Sequence, residues 1–229
     1  MEPVIKKIQT ALFTKNFQIQ NEYEKSNILL GLKEKVGEIF DGQPVLIPVP
    51  SDAPPEIPRI VLNSADNLFT CNVALNRIDI FFNLISNSEK DSDALLKKQK
   101  INSKKLFDFL KEKKVIINRV GFVVDIDYTI QNTLEFLRTE FIKDKKFESP
   151  KELSFRYNKS SNIDGVDIPM NNLVTITGKN DNNIIKVQFD INTVAEIMNA
   201  ADFLSQEFES IIEYSISEVE KKSKNFPNI

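Results

Sequence analysis

The sequence predicts an α+β fold, antiparallel strands packed with amphipathic helices, and three observations carry that expectation. Apolar residues are dense or alternate at period two over 58–62, 69–82, 115–126, 165–179 and 184–191. They recur at three- and four-residue spacing over 22–40, 91–114 and 193–222. Strand runs follow one another through polar turns such as Asn63-Ser64-Ala65-Asp66-Asn67, which makes hairpins rather than a parallel sheet with crossover helices. With 229 residues, 41% of them hydrophobic and 17 of them Phe, the chain can bury a substantial core.

Taken in order, Pro3 to Gln20 mixes Val4, Ile8, Phe17 and Ile19 with lysines and reads as an edge strand. From Glu22 to Phe40, Ile28, Leu29, Leu32, Val36, Ile39 and Phe40 follow the helical period, and Asp41-Gly42 ends the helix. Six of the ten prolines (Pro44, Pro48, Pro50, Pro54, Pro55 and Pro58) then make an extended connector, because proline lacks a donor and holds its own φ. It could dock in an aromatic groove, but without flanking basic residues it reads as a spacer. The runs Pro58 to Leu62 and Phe69 to Phe82 form an antiparallel hairpin. Asp91 to Lys114 reads as a lysine-rich helix, interrupted near Ile101-Asn102-Ser103.

Val115 to Ile126, VIINRVGFVVDI, is the most β-branched run and predicts a buried strand. Thr129 to Phe141 spaces Ile130, Leu134, Leu137 and Phe141 as a short helix before a charged loop, Lys143 to Pro150. Strands are expected over Glu152 to Tyr157, Gly165 to Lys179 and Ile184 to Ile191, with turns at Ser160-Ser161-Asn162 and Asn180-Asp181-Asn182-Asn183. One long helix then covers Thr193 to Lys222, with Ile197, Ala201, Leu204, Phe208, Ile211, Ser215 and Val219 as its stripe. The order suggests a single domain over 1–229 made of two similar halves, 1–114 and 115–229, each strand, helix, hairpin, helix. In that repeat the hairpin turn NSADN is echoed by KNDNN.

Composition narrows the chemistry. There is no His, which removes Ser-His-Asp and Cys-His nucleophile activation, imidazole acid–base work and His-containing metal sites. A net charge of -3 argues against a general nucleic-acid binder. One cysteine, Cys71, excludes an internal disulfide and suits a reducing compartment; in a strand run it is expected to be a small buried side chain. No apolar window is long enough to span a membrane and the first residues lack a signal-peptide pattern, so the expected address is the cytoplasm. The 23 Asn against five Arg read as a low-GC codon bias.

The strand VIINRVGFVVDID follows the hairpin PRIVLNSADNLFTCNVALNRIDI and precedes KVQFDINT and an acidic helix. In this order the chain resembles a sporadically distributed, uncharacterised prokaryotic family of proteins of similar length. The shared features would be Pro3, Pro58-Arg59, Arg119-Val120-Gly121 and Asp190; the chain differs in carrying Ile60 and Leu62 where aromatic residues are usual. The resemblance implies no enzyme activity, since none is established for that family.

Among candidate sites, Asp125 and Asp127 share one face at the end of the buried strand, a geometry that can hold Mg²⁺ for phosphoryl transfer. The plain alternative is a solvated strand end, with Asp127 capping the next helix. Lys97, Lys98, Lys104 and Lys105 head a basic helix; nine lysines against five acids between Glu89 and Lys114 leave +4, a patch for nucleic acid or an acidic protein, or a solvated face. The last helix carries the opposite sign, and Phe203 and Tyr214 fall off its apolar stripe as a candidate interface. Arg119, among apolar neighbours, must reach solvent or pair with a carboxylate. These readings favour a non-enzymatic cytoplasmic protein that works through a protein partner or self-association, with no cofactor. An Mg²⁺-dependent or nucleotide-binding enzyme is the second reading and nucleic-acid binding by the lysine helix the third.

Overall fold

The computed structural model describes residues 2–19, 21–50, 52–84, 92–142, 150–180, 183–195 and 201–228. The first half contains β1 (Pro3–Thr14), α1 (Glu22–Val36), β2 (Val45–Leu46), β3 (Ile60–Asn63), β4 (Phe69–Val73), β5 (Arg77–Asn83) and α2 (Ser92–Glu112). The second contains β6 (Ile117–Thr129), α3 (Thr133–Leu137) with a following π-helical turn (Arg138–Ile142), β7 (Glu152–Ile163), β8 (Val166–Lys179), β9 (Ile184–Thr193) and α4 (Ser205–Asn225). The fold is α+β: nine antiparallel strands make one sheet in the order β2-β3-β4-β5-β1-β6-β9-β8-β7. Read outward from the central β1–β6 pair, each half places its last strand first and its earlier strands beyond it.

The register explains why the sheet has two unlike faces, since directly paired residues point the same way. One row runs Leu62, Cys71, Ile80, Thr10, Phe122, Ile191 and Asn172 across seven strands, and every member is at most 1% exposed. Helices cover this face. Gln99 of α2 donates from Nε2 to Thr10 Oγ1 and to the Ile80 carbonyl, and Ser103 Oγ donates to the same Thr10 oxygen. α4 reaches it through Tyr214, hydrogen-bonded to Asn172, and through the stacked rings of Phe107 and Phe208 that join α2 to α4. α3 packs on β8 where Gly178 leaves room, and α1 rests on α2 with Gly31 against Phe109.

Several elements differ from their sequence reading. β1 is central rather than an edge, with Ile8 to Leu12 all buried; the lysines that suggested an edge, Lys6 and Lys7, lie at a break in the β1–β6 register. Phe69 to Phe82 is two strands, turned at 74–76 by an Ala74 N–H to Arg77 carbonyl bond with no Gly or Pro to mark it. In the strand order the β8–β9 turn holds the place of the β4–β5 turn, not of NSADN between β3 and β4, so NSADN and KNDNN do not correspond by position. α2 is continuous through Ile101-Asn102-Ser103, because Asn102 and Ser103 are buried on its inner side.

β7 continues through Ser160-Ser161-Asn162 and turns at Asp164-Gly165, where Gly165 has φ 77. The last helix starts at Ser205, since β9 extends to Thr193 and Leu204 is extended (φ -80, ψ 162). Parts of some expected elements fall outside the described residues: Gln20 of the opening strand, Lys90 and Asp91 of the lysine helix, 143–149 of the charged loop, Asp181-Asn182 of the last turn, and 196–200 of the long helix, Ile197 included. No helix among the described residues is long and apolar enough to cross a membrane.

Candidate functional site: the open face of the sheet

Opposite the helices lies a face whose side chains are mostly polar and partly exposed. A central row crosses eight strands as Asn63, Thr70, Phe81, Gln9, Val123, Asp190, Leu173 and Asn158. Antiparallel sheets tolerate one solvated face, and alternation along the strands produces it here, with the central Gln9 and Asp79 buried. Asn is ordinarily depleted in strands, yet Asn63, Asn72, Asn83, Asn158, Asn171 and Asn192 all stand in strands at open-face positions. The open-face placement of these six follows from burial cost, because a side-chain amide keeps its hydrogen bonds only where water or another polar group is within reach; Asn172, buried on the helix-covered face, has Ser161 and Tyr214 as partners.

Arg119 sits in this face beside the midline, with its guanidinium 4.7 Å from the Phe13 ring; the Arg77 guanidinium lies 5.1 Å from the same ring. Arg119 donates from Nη2 to Asn192 Oδ1 at 3.2 Å, and Asn192 donates to Asp190 at 2.9 Å. On the far side Arg77 Nε and Gln9 Nε2 both donate to Asp79 Oδ1, at 2.8 and 2.9 Å. The partner of Arg119 is thus an amide and a ring, with the carboxylate one step further away, and its Nε is buried without a hydrogen bond. Phe13, Arg77, Asp79 and Gln9 were not singled out by sequence reasoning. The alternation Arg77-Ile78-Asp79 was the available signal, hidden because β4 and β5 read as one run.

Asp125 and Asp127 do share the open face, as period-two alternation requires. Asp125 accepts from Gln188 Nε2 at 2.8 Å and is paired across β1 with Lys7; Asp127 is paired across β9 with Lys186. Burial pushes the Asp127 carboxyl above the ordinary range, Lys6 and Lys186 pull it back, and Asp125 adds to the rise. Lysines therefore already supply positive charge around the pair, and Mg²⁺ favours about six oxygen ligands. Among the described residues no three His, Cys, Asp or Glu side chains gather to hold a metal. Asp127 does not cap the next helix either: β6 runs on to Thr129, and the N-cap of α3 is Asn132.

The lysine helix is largely turned to intramolecular use. Lys100 pairs with Glu213 of α4, Lys104 with Asp108 and Glu209, Lys105 with Glu38, and Lys111 with Asp202. Lys98 lies over the Phe69 ring at 5.0 Å, and Lys97 is exposed. Two of these pairs, Lys100–Glu213 and Lys104–Glu209, join the oppositely charged faces of α2 and α4.

The proposed interface residues do not form a surface. Phe203 is 2% exposed, and its N–H bonds the Ile117 carbonyl. Tyr214 is half-buried, bonded to Ser161 and Asn172 at the base of a polar pocket of about 220 Å³ that also holds Lys159, Glu218, Lys221 and Lys222. Neither lies with Asp125, Asp127 or Arg119. Cys71 is fully buried, its thiol pushed up by desolvation, as its strand position implied.

Compared with the models of known protein families and with curated proteins, the chain matches none of them.

Proposed function

We propose that this chain acts through protein contacts rather than chemistry, and that the open face of its sheet is the surface it presents to a protein partner. The observation that carries the reading is the charge pattern of that face. Lys7, Arg77, Arg119, Arg156 and Lys186 are interleaved with Asp79, Asp125, Asp127 and Asp190 around the partly buried apolar side chains of Phe13, Phe81, Val123 and Leu173. A polyanion would meet repulsion from the central carboxylates, whereas a protein surface of mixed charge can complement both signs. The test compares capture by the immobilised wild-type chain, by Val123→Glu with Leu173→Glu, and by a Lys97→Glu control. Loss of one and the same protein from the open-face variant alone supports the reading; capture indifferent to both open-face changes refutes it.

The Mg²⁺-dependent reading keeps one favourable observation, the common face of Asp125 and Asp127. It expects nucleotide with Mg²⁺ to raise the melting temperature and Asp125→Asn to abolish the rise. Absence of any shift disposes of it.

A further inference from the structure

The two outer edges of the sheet are treated differently. At one end β2 is two residues long and embedded in the proline connector, with Pro44 before it and Pro48 and Pro50 after it, so few unpaired backbone groups are offered there. At the other end β7 runs twelve residues, Glu152 to Ile163, and pairs with β8 on one side only. It contains no Pro or Gly, and its pairing with β8 is regular from Glu152 to Asn162. From Glu152 to Asn162 the edge has no Pro, no Gly and no bulge, and its charges are few and of both signs, Glu152, Arg156 and Lys159.

The direction of the free groups can be read from one bond. The Asn180 N–H donates to the Lys151 carbonyl at 3.1 Å, which makes Glu152 and Lys179 a non-hydrogen-bonded pair of the antiparallel ladder. Leu153, Phe155, Tyr157 and Lys159 then exchange bonds with β8, while the N–H and C=O groups of Ser154, Arg156, Asn158 and Ser160 point away from the sheet. Among the described residues no strand receives them.

We infer that β7 pairs antiparallel with β7 of a second copy of this chain about a two-fold axis, joining two sheets into one. Self-complementarity selects the occupant. With the axis at Tyr157, Arg156 stands opposite Asn158 of the second copy, Phe155 opposite Lys159, Ser154 opposite Ser160 and Glu152 opposite Asn162. No like charges oppose one another, an aromatic ring meets an ammonium, and the outward-facing backbone groups fall on hydrogen-bonded positions as the ladder requires. A two-fold axis at Arg156 or Lys159 would oppose like charges and is disfavoured. This pairing is independent of the open-face reading, because the edge and the face are different surfaces.

The experiment is sedimentation equilibrium of the full chain with three substitutions at Asn158, whose N–H the monomer does not use. Asn158→Lys sets a cation against Arg156 twice in the dimer, and Asn158→Asp sets an anion against it twice. Wild type is expected to be dimeric, with the dissociation constant raised several-fold by Asn158→Lys, lowered by Asn158→Asp, and dimerisation lost in Asn158→Pro. Amide exchange of the wild type serves as a check that needs no variant: Ser154, Arg156, Asn158 and Ser160 should gain protection as protein concentration rises. A wild type that stays monomeric, or a dimer that ignores the sign of the charge at position 158, overturns the inference.

Discussion

Gly178 is small because α3 needs its space: a Cβ built there lies 2.5 Å from Thr133 Cγ2 and 2.7 Å from Leu137 Cδ1. Gly178→Ala should therefore cost about 1–3 kcal/mol in urea denaturation, the usual range for overpacking. Gly121, on the open face at the β1–β6 midline, meets nothing nearer than 3.7 Å, so Gly121→Ala should be neutral or stabilise by about 0.5–1 kcal/mol through the lower entropy of the unfolded chain. The reverse order of the two would contradict the layering.

Asp127 gives a pH signature. Its carboxyl is raised by burial, so the folded chain holds that proton more tightly than the unfolded one. Its contribution favours folding below the ordinary value of 3.8 and is lost as pH rises through the raised value. Asp127→Asn should then raise Tm at neutral pH, and the gain should vanish below the ordinary carboxylate range; a gain that ignored pH would contradict this assignment. That Asp125 and Asp127 share a face could be read from period two. That lysines of β1 and β9 stand beside them could not, because those residues meet only through strand pairing.

At the level of elements, α2 and α4 meet through two ion pairs, Lys100–Glu213 and Lys104–Glu209. Exposed ion pairs of this kind contribute only about 0.2–1 kcal/mol each, so orientation and specificity are their larger effect. Lys100→Glu should lose roughly that amount, and adding Glu213→Lys should recover most of it. A double-mutant cycle in low and high salt measures the coupling, which should shrink with salt; zero coupling at low salt would mean the 2.6 Å contact contributes nothing. Both helices were legible from their three-four periodicity and their charge signs, but their partnership was not. The errors at this level have local causes. The β4–β5 turn lacks Gly and Pro, and the polar run Ser160-Ser161-Asn162 stays in a strand because Ser161 points inward to Tyr214. Phe203 and Leu204 precede α4, the former anchored to Ile117 of β6 and the latter extended.

For the whole molecule, the β1–β6 seam joins the two halves, with paired residues from Pro3–Tyr128 to Thr14–Ile117. Since the core is continuous across that seam, fragments 1–114 and 115–229 should each lack a cooperative melting transition alone and regain one when mixed, as followed by circular dichroism. Independent melting of either fragment would show that the halves are separate folding units. The amino-acid order by itself determined the α+β class, most strand and helix positions, the buried Cys71 and the absence of histidine chemistry, because periodicity, turn residues and composition are local properties. Tertiary structure alone decided that β1 is central, that the β8–β9 turn holds the place of the β4–β5 turn, that Arg119 shares Phe13 with Arg77, and that lysines of α2 pair with acids of α4 and of neighbouring segments. These depend on which strands become neighbours, and pairing between residues distant in the chain is a choice that local pattern does not encode.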